Sequence, residues 1–382
     1  MSNTGAPPVI IDDGSDTCKA GFAGEDIPHV VIPTVVGVVS RKMQELSPPG
    51  YKTHYAGDTA LAKRGFLKLR HPIHQGVFSN YPTGADTMPF LWHQVFDKLS
   101  IPSEERPLLL TEAPYNPNAR RDREKTAEIM FEQFGVPSLY IANRAVLALY
   151  AAGKKTGVVV DSGAGVTNVV VVVDEGRVVD CEGVTRRLEV AGDELTDFLV
   201  RELMERGILL TTRQERMVAK AMKEKLCYVA LDYEGEVGEE GIEASYELPD
   251  GEAITIGKER IRIPEALFRP SLVGLPVEGV HEMVYNAIQS CHIEQRSHLN
   301  NNNNIVLSSG SMSFPGMAER MRAELESLSL SAHSSGNFDV SIAPHGRFAA
   351  WVGGSIFAST NTFREMGCSK GRFEEVGVRG IY

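Results

Sequence analysis

The chain has 382 residues, 42% of them apolar and 23% charged. That length suggests two or three domains or one large α/β fold, and the apolar content supplies a sizeable core, which excludes disorder along the whole chain. Fifty acidic residues against 39 basic ones give a net charge of −11, the opposite of the basic surplus of a bare nucleic-acid-binding module, so no direct nucleic-acid partner is expected. Five cysteines, at 18, 181, 227, 291 and 368, show no metal-ligand spacing and are odd in number; free thiols in a reducing compartment are the simplest reading. No apolar run reaches the roughly 18 residues of a membrane helix, and residues 1–8 lack the charged-then-apolar layout of a signal peptide. No membrane insertion is expected.

In chain order, Val9-Ile10-Ile11 is a short strand signal and residues 18–22 form a second. Residues 47–50, Ser-Pro-Pro-Gly, read as a loop. Residues 123–134 place Ala127, Met130, Phe131 and Phe134 at helical spacing. Residues 157–160 and 169–173 are β-branched runs, too rich in valine for a comfortable helix. Residues 193–206 predict a helix with Leu195, Phe198, Leu199 and Leu203 on its apolar face, and 215–231 predict another. Residues 234–241 are acidic and Gly-rich and read as an exposed loop. An asparagine run at 300–304 precedes a strand at 305–308 and a Gly/Ser turn at 309–311. A helix is expected over 315–328, with Pro315 near its start, followed by a Ser-rich surface connection over 327–335. Strands mixed with helices indicate an α/β architecture.

One pattern recurs. Val9-Ile10-Ile11-Asp12-Asp13-Gly14-Ser15 is echoed by Val158-Val159-Val160-Asp161-Ser162-Gly163-Ala164, and a second strand follows each. Two hairpins of one design at domain-scale separation suggest two related lobes with a cleft between them. Small turn residues expose backbone N–H groups that can cradle phosphate oxygens. An Asp at each strand end can hold a hydrated Mg²⁺ against those phosphates. Lys19 can add a point charge, and the turn at Ser309-Gly310-Ser311 can receive the nucleoside end. A single Asp-x-Gly hairpin is ordinarily only a turn; the repetition is what raises the functional reading.

Longer segments carry a resemblance. Lys19-Ala20-Gly21-Phe22-Ala23-Gly24, Leu109-Leu110-Thr111-Glu112-Ala113-Pro114, Ile129-Met130-Phe131-Glu132 and Asp161-Ser162-Gly163 resemble the actin family. So do residues 223–231, Tyr246-Glu247-Leu248-Pro249-Asp250-Gly251 and Trp351-Val352-Gly353-Gly354-Ser355-Ile356, in the family's order and over nearly the whole chain. The resemblance implies an α/β, actin-like fold of two lobes built from duplicated domains around a nucleotide cleft, an architecture shared with sugar kinases and chaperone ATPases. The implied first lobe is 1–151 plus 349–382, with a small subdomain at about 34–71, and the second is 152–348, with one at about 188–277. It implies ATP or ADP with Mg²⁺ or Ca²⁺, and the cytoplasm and cytoskeleton as location, with the nucleus as an alternative. The implied partners are further copies or other actin-like subunits, with actin-binding proteins beside them.

Carried over by likeness, Asp12, Gly14, Ser15 and Lys19 match the first phosphate loop, and Asp161, Ser162, Gly163, Gly165 and Val166 the second. Lys220, Lys223 and Glu224 match the positions facing the nucleoside, with Lys220 in place of Arg. Gly310, Ser311 and Phe314 match the adenine-side turn, where Ser309 replaces a Gly, and Arg347 stands near the base. Asp12 and Asp161 are the water-mediated metal positions.

The departures are informative. The family's water-positioning Gln falls at Arg144, an acidic residue of the second loop at Ala164, and its His at Asn168. A Gly of the first loop is Asp16, and the Asn before Gly14 is Asp13. Without the Gln and His, an attacking water loses its orienting and proton-relay partners. Arg144 is the one candidate catalytic residue, and pairing with Asp16 is one expected role for it. Three readings stand open: an ATP-binding structural subunit with weak or absent hydrolysis, an ATPase rebuilt around Arg144, and a nucleotide-free scaffold. By the resemblance, the motif from Asp180-Cys181 to Arg187 carries an insertion relative to the family.

Overall fold

Strands buried on both faces read as unbroken apolar runs rather than alternating ones, and the valine-rich segments here take that place. The computed structural model describes every residue except 1–4, 47, 49, 51, 80–83, 175, 180, 182, 239–240, 249–250, 301–303, 334–337 and 382. Parts of the expected loops at 47–50, 234–241 and 327–335, and most of the asparagine run, therefore lie outside the described residues. The chain divides into two units, Met1–Lys154 with Phe348–Tyr382, and Lys155–Arg347.

In the first unit, β1 (Val9–Asp13) and β2 (Thr17–Phe22) form an antiparallel hairpin, and β3 (Val30–Pro33) adds to β2. A separate small sheet comprises β4 (Val36–Val39), β5 (His54–Ala56) and β6 (Leu67–Arg70). After α1 (Gly84–Leu99), strand β7 (Leu108–Glu112) lies parallel to β1. Next, α2 (Ala119–Glu128) crosses over to β8 (Ser138–Asn143), parallel to β7; α3 (Arg144–Ala151) follows.

The second unit repeats this plan. Strands β9 (Gly157–Ser162) and β10 (Thr167–Val173) form the hairpin, and β11 (Arg177–Val178) and β12 (Arg186–Leu188) both pair with β10. Every residue of β9 and β10 is buried. Helices α4 (Gly192–Glu205), α5 (Arg213–Leu226) and α6 (Val280–Ser290) come next. Strand β13 (Asn304–Ser308) is parallel to β9, and α7 (Met317–Ser331) crosses over to β14 (Asp339–Ile342), parallel to β13. The strand orders β3-β2-β1-β7-β8 and β11-β10-β9-β13-β14 thus match in direction at every step. The chain then returns to the first unit with α8 (Ala349–Ala358) and β15 (Cys368–Ser369), which pairs with β8.

Several expected boundaries shift for identifiable reasons. The helix expected over 123–134 is α-helical to Glu128 and continues as a π-turn over Ile129–Gln133, which buries Phe131 against Phe373. The helix expected to reach 231 stops at Leu226, because the backbone beyond it is claimed elsewhere: Tyr228 N–H donates to Arg260 and Val229 N–H to Pro315. The acidic stretch from 234 opens inside a short helix, Tyr233–Glu236, capped by Asp232. The Ser-rich stretch from 327 extends α7 to Ser331 instead of leaving it.

Helix α8 packs on α3 at backbone contact. A Cβ on Gly353 would lie 1.8 Å from the Leu147 carbonyl oxygen, so only glycine fits. The neighbouring Trp351 is fully buried, and its Nε1 donates to the Ile10 carbonyl. Gly353→Ala is therefore expected to destabilise the protein by about 3 kcal/mol, since the clash is with backbone and no side chain can move aside. Denaturant unfolding measures this; an unchanged midpoint would refute the close approach.

Candidate functional site

In both units the hairpin candidates sit at the carboxyl ends of the central strands, where open α/β sheets bind ligands. In the first hairpin, Asp12 faces Lys19 across the ladder, so their side chains share a face. Lys19 Nζ lies 3.1 Å from Asp12 Oδ2, and Thr111 Oγ1, from the adjacent parallel strand β7, donates to Asp12 Oδ1 at 2.7 Å. Burial, the largest influence, raises the Asp12 carboxyl, but Lys19, Arg144 and the Thr111 hydrogen bond together hold it below its ordinary range. The turn is tight: Gly14 N–H donates to the Thr17 carbonyl, and a Cβ on Gly14 would come within 2.9 Å of that oxygen. Thr34 Oγ1 donates to the Gly14 carbonyl, and Gly76 N–H donates to Ser15 Oγ.

Asp13 takes the opposite face of β1. Trp92 Nε1 donates to its Oδ2 at 2.8 Å, while Oδ1 is buried without a partner among the described residues. Burial pushes this carboxyl up to about 6, against the Trp92 hydrogen bond, the neighbouring Cys18 thiol and, last, the charge of Arg144. Arg144 opens α3; its Nε donates to the Glu112 carbonyl at 3.4 Å, and its Nη1 lies 4.0 Å from where a Gly14 Cβ would be. The structure thus brings Arg144 to the first turn, where its charge acts on Asp12 and Asp13. Asp16 is exposed.

The second hairpin repeats the geometry with different partners. Asp161 is opposed by Asn168 on β10 and by Ser308 on β13, so the three side chains form one row on one face of the sheet. Ser309 Oγ donates to Asp161 Oδ1 at 2.5 Å. Asn168 is wholly buried, yet neither its Nδ2 nor its Oδ1 has a partner among the described residues, and Ser308 Oγ is likewise unpaired. Ser162 shares a hydrogen bond with Thr167, which donates to the Val190 carbonyl. Val166 is buried, and its carbonyl accepts from Gly163 N–H across the turn that contains Gly165. The Gly163 carbonyl accepts from both Gly192 N–H and Ser311 Oγ, which ties this turn to α4 and to the turn after β13. A Cβ on Gly163 or on Gly310 would meet nothing within 4 Å, so neither glycine is required by packing.

Ser309 is held at φ 75°, ψ 173°, a region that is essentially glycine's alone and costs about 1–3 kcal/mol for other residues. Its bond to Asp161 offsets part of that strain. Lys223, on α5, is buried and donates to the Gly192 carbonyl and to Thr196 Oγ1. Lys220 lies one turn earlier on the same helix, and Glu224 beside Lys223 is exposed. Phe314 is packed into the apolar core of the second unit, and Arg347 is exposed on the short turn Gly346–Phe348.

The family model described as Actin matches residues 4–382. The chain belongs to the actin family. Its α/β fold of two matching units is that of an actin-like protein. Among the described residues no helix is long and apolar enough to cross a membrane.

Members of the actin family generally bind ATP or ADP with a divalent cation, and the residues present fit such a group. The buried, unpaired atoms of Asn168 and Ser308 beside Asp161 call for polar partners, and the open space at Gly163 and Gly310 leaves backbone accessible. The first hairpin adds a buried Lys–Asp pair. Thr111, Trp92, Ser308 and Thr196 belong to these sites and were not singled out from the sequence. Thr111 and Ser308 did carry a signal: each ends an apolar run, Leu-Leu-Leu-Thr and Ile-Val-Leu-Ser, just as Asp12 and Asp161 do.

Burial lowers Lys223 from 10.5 to about 8. Between those values the unfolded chain holds a proton that the folded one has released, so stability rises with pH. Relative to Lys223→Met, measured without added nucleotide, the wild type should gain about 2 kcal/mol between pH 7.5 and 10. Parallel pH profiles in urea titrations would show that the ammonium is not desolvated.

Proposed function

We propose that this actin-family protein binds ATP or ADP with Mg²⁺ or Ca²⁺, hydrolyses it weakly or not at all, and serves as a filament subunit or a structural subunit of a larger complex. The observation that carries this reading is the polar row Asn168–Asp161–Ser308, whose buried hydrogen-bonding atoms have no protein partner among the described residues and call for a polar group or water beside Asp161. In this reading Asp12 and Asp161 hold the cation through water. Gly14, Ser15, Lys19, Ser162, Gly163, Gly165 and Val166 line the phosphates. Lys220, Lys223, Glu224, Gly310, Ser311, Phe314 and Arg347 serve the nucleoside. The bound nucleotide supplies phosphates whose charge Lys19 and the hairpin N–H groups neutralise.

Weak hydrolysis follows from what Arg144 and Asn168 can do. Arg144 is a permanent cation without an acceptor, so it cannot take a proton from water. Asn168 does not titrate and cannot relay one. Actin-family proteins are generally cytoskeletal and cytoplasmic, which supports that location and actin-like partners. Acid extraction of the purified protein should release close to one intact ATP per chain. Conversion of freshly loaded ATP to ADP on the protein in a rapid single turnover would overturn the weak-hydrolysis reading, and no nucleotide after incubation with ATP and Mg²⁺ would overturn binding and leave a scaffold.

A second reading, an ATPase rebuilt around Arg144, is favoured by the closeness of its guanidinium to Gly14. An arginine there can stabilise charge developing on a transferring phosphoryl group. If that reading holds, Arg144→Ala should lower phosphate release by 10³-fold or more; equal single-turnover rates in wild type and variant would discard it.

A further inference from the structure

The five cysteines differ in environment: Cys181 is exposed and the other four are buried. Cys18 is buried, and burial together with Asp13 holds its thiol well above the usual range. Burial also raises Cys368, and pushes Cys227 up to about 12. These three carry almost no thiolate and are shielded from solutes, so they are poor targets for oxidants.

Cys181 is exposed, in the connection between β11 and β12. It begins a turn closed by Val184 N–H donating to the Cys181 carbonyl, and Val184 anchors that turn in the core of the second unit. Gly183, at φ +81°, rests against the end of α6: a Cβ there would lie 3.5 Å from Ser290 Oγ and 3.8 Å from Ser290 Cβ. The next residue after Ser290 is Cys291, the C-cap of α6, whose thiol donates to the Ala287 carbonyl. Val184 and Cys291 belong to the same apolar cluster. Burial raises the Cys291 thiol; Arg296, which donates to the Cys291 carbonyl, opposes that, and charge on the nearby Cys181 adds to it.

We propose that Cys181 and Cys291 are a redox modification site that closes into a reversible disulfide when the protein meets hydrogen peroxide. Cys181, the exposed thiol, reacts first as its thiolate. The peroxide O–O bond breaks, one oxygen stays on Cys181 as a sulfenic acid, and the other leaves as water with the thiol's proton. Cys291 then attacks the sulfenic sulfur as its thiolate. The S–S bond forms, the S–O bond breaks, and the departing hydroxide takes up the Cys291 proton. Two thiols and one peroxide give one disulfide and two waters. The turn residue two positions after Cys181 lies against the residue before Cys291, and disulfide closure requires the buried Cys291 thiol to leave the Ala287 carbonyl and turn toward Cys181. The bond ties the β11–β12 connection to the end of α6.

The test uses the full chain treated with hydrogen peroxide, alkylated without reduction, digested with trypsin and analysed by mass spectrometry. The expected product is peptide 178–186 linked to peptide 263–296 with the loss of two hydrogens, absent after treatment with dithiothreitol. In Cys291→Ser, Cys181 should instead be trapped as sulfenic acid by dimedone, and in Cys181→Ser, Cys291 should stay alkylatable. Recovery of both peptides from the oxidised wild type singly modified, or of Cys181 only in links between chains, would overturn the proposal. Neither readout depends on whether the protein binds nucleotide.

Discussion

A carboxylate at the buried end of a strand must be met by donors, and this requirement organises both units. Each sheet has the same pair of parallel strands, and each pair ends in a carboxylate beside a hydroxyl: Asp12 next to Thr111, and Asp161 next to Ser308. In the first unit the requirement is met internally, by Thr111, Lys19 and the charge of Arg144. In the second unit the equivalent hydroxyl, Ser308 Oγ, is unpaired, and Asp161 is met by Ser309 instead. The duplicated frame therefore offers two unlike ends, one closed by its own cation and one with hydrogen-bonding capacity to spare.

Ser309 shows what that second arrangement costs. Its backbone occupies a conformation suited to glycine, the residue the family resemblance places there. An unsupported serine would relax out of it. It stays because β13 before it and the short turn Gly310–Met312 after it are fixed, and because its hydroxyl satisfies a buried carboxylate. An unmet carboxylate at that depth costs about as much as the strain, so the substitution sustains itself.

Much of this was legible in the sequence. The valine runs could only be buried strands, and the repeated Asp-x-Gly turn exposed the duplication. What stayed hidden was contact across strands distant in sequence. That Thr111 would reach Asp12 depends on the register Ile11 to Leu110, which no local pattern encodes. That Asn168 would be buried without partners depends on its neighbours across the sheet, not on its own segment. The helix ends were misjudged where the backbone beyond them found partners far along the chain, as Val229 does with Pro315. Apolar periodicity reports which face is buried; it does not report where a helix loses its hydrogen bonds to a competitor.

Two departures from the family pattern become one when placed in space. Asp13 stands where the resemblance expects Asn, and Arg144 where it expects Gln. Arg144 occupies the first position of α3, where the helix dipole disfavours a cation by about 0.3–1 kcal/mol, and no packing argument recommends it there. Asp13 is a buried carboxylate with one oxygen unpaired, also unfavourable alone. The two meet in space: the charge of Arg144 acts on Asp12 and, behind burial and the hydrogen bonds of Trp92 and Cys18, on Asp13. The pair adds one negative and one positive charge, so the field at the first turn keeps its net value while the neutral amides that could orient a water are gone. A site altered in this way can keep its grip on phosphate and lose its grip on water, and the proposed separation of binding from hydrolysis rests on that difference.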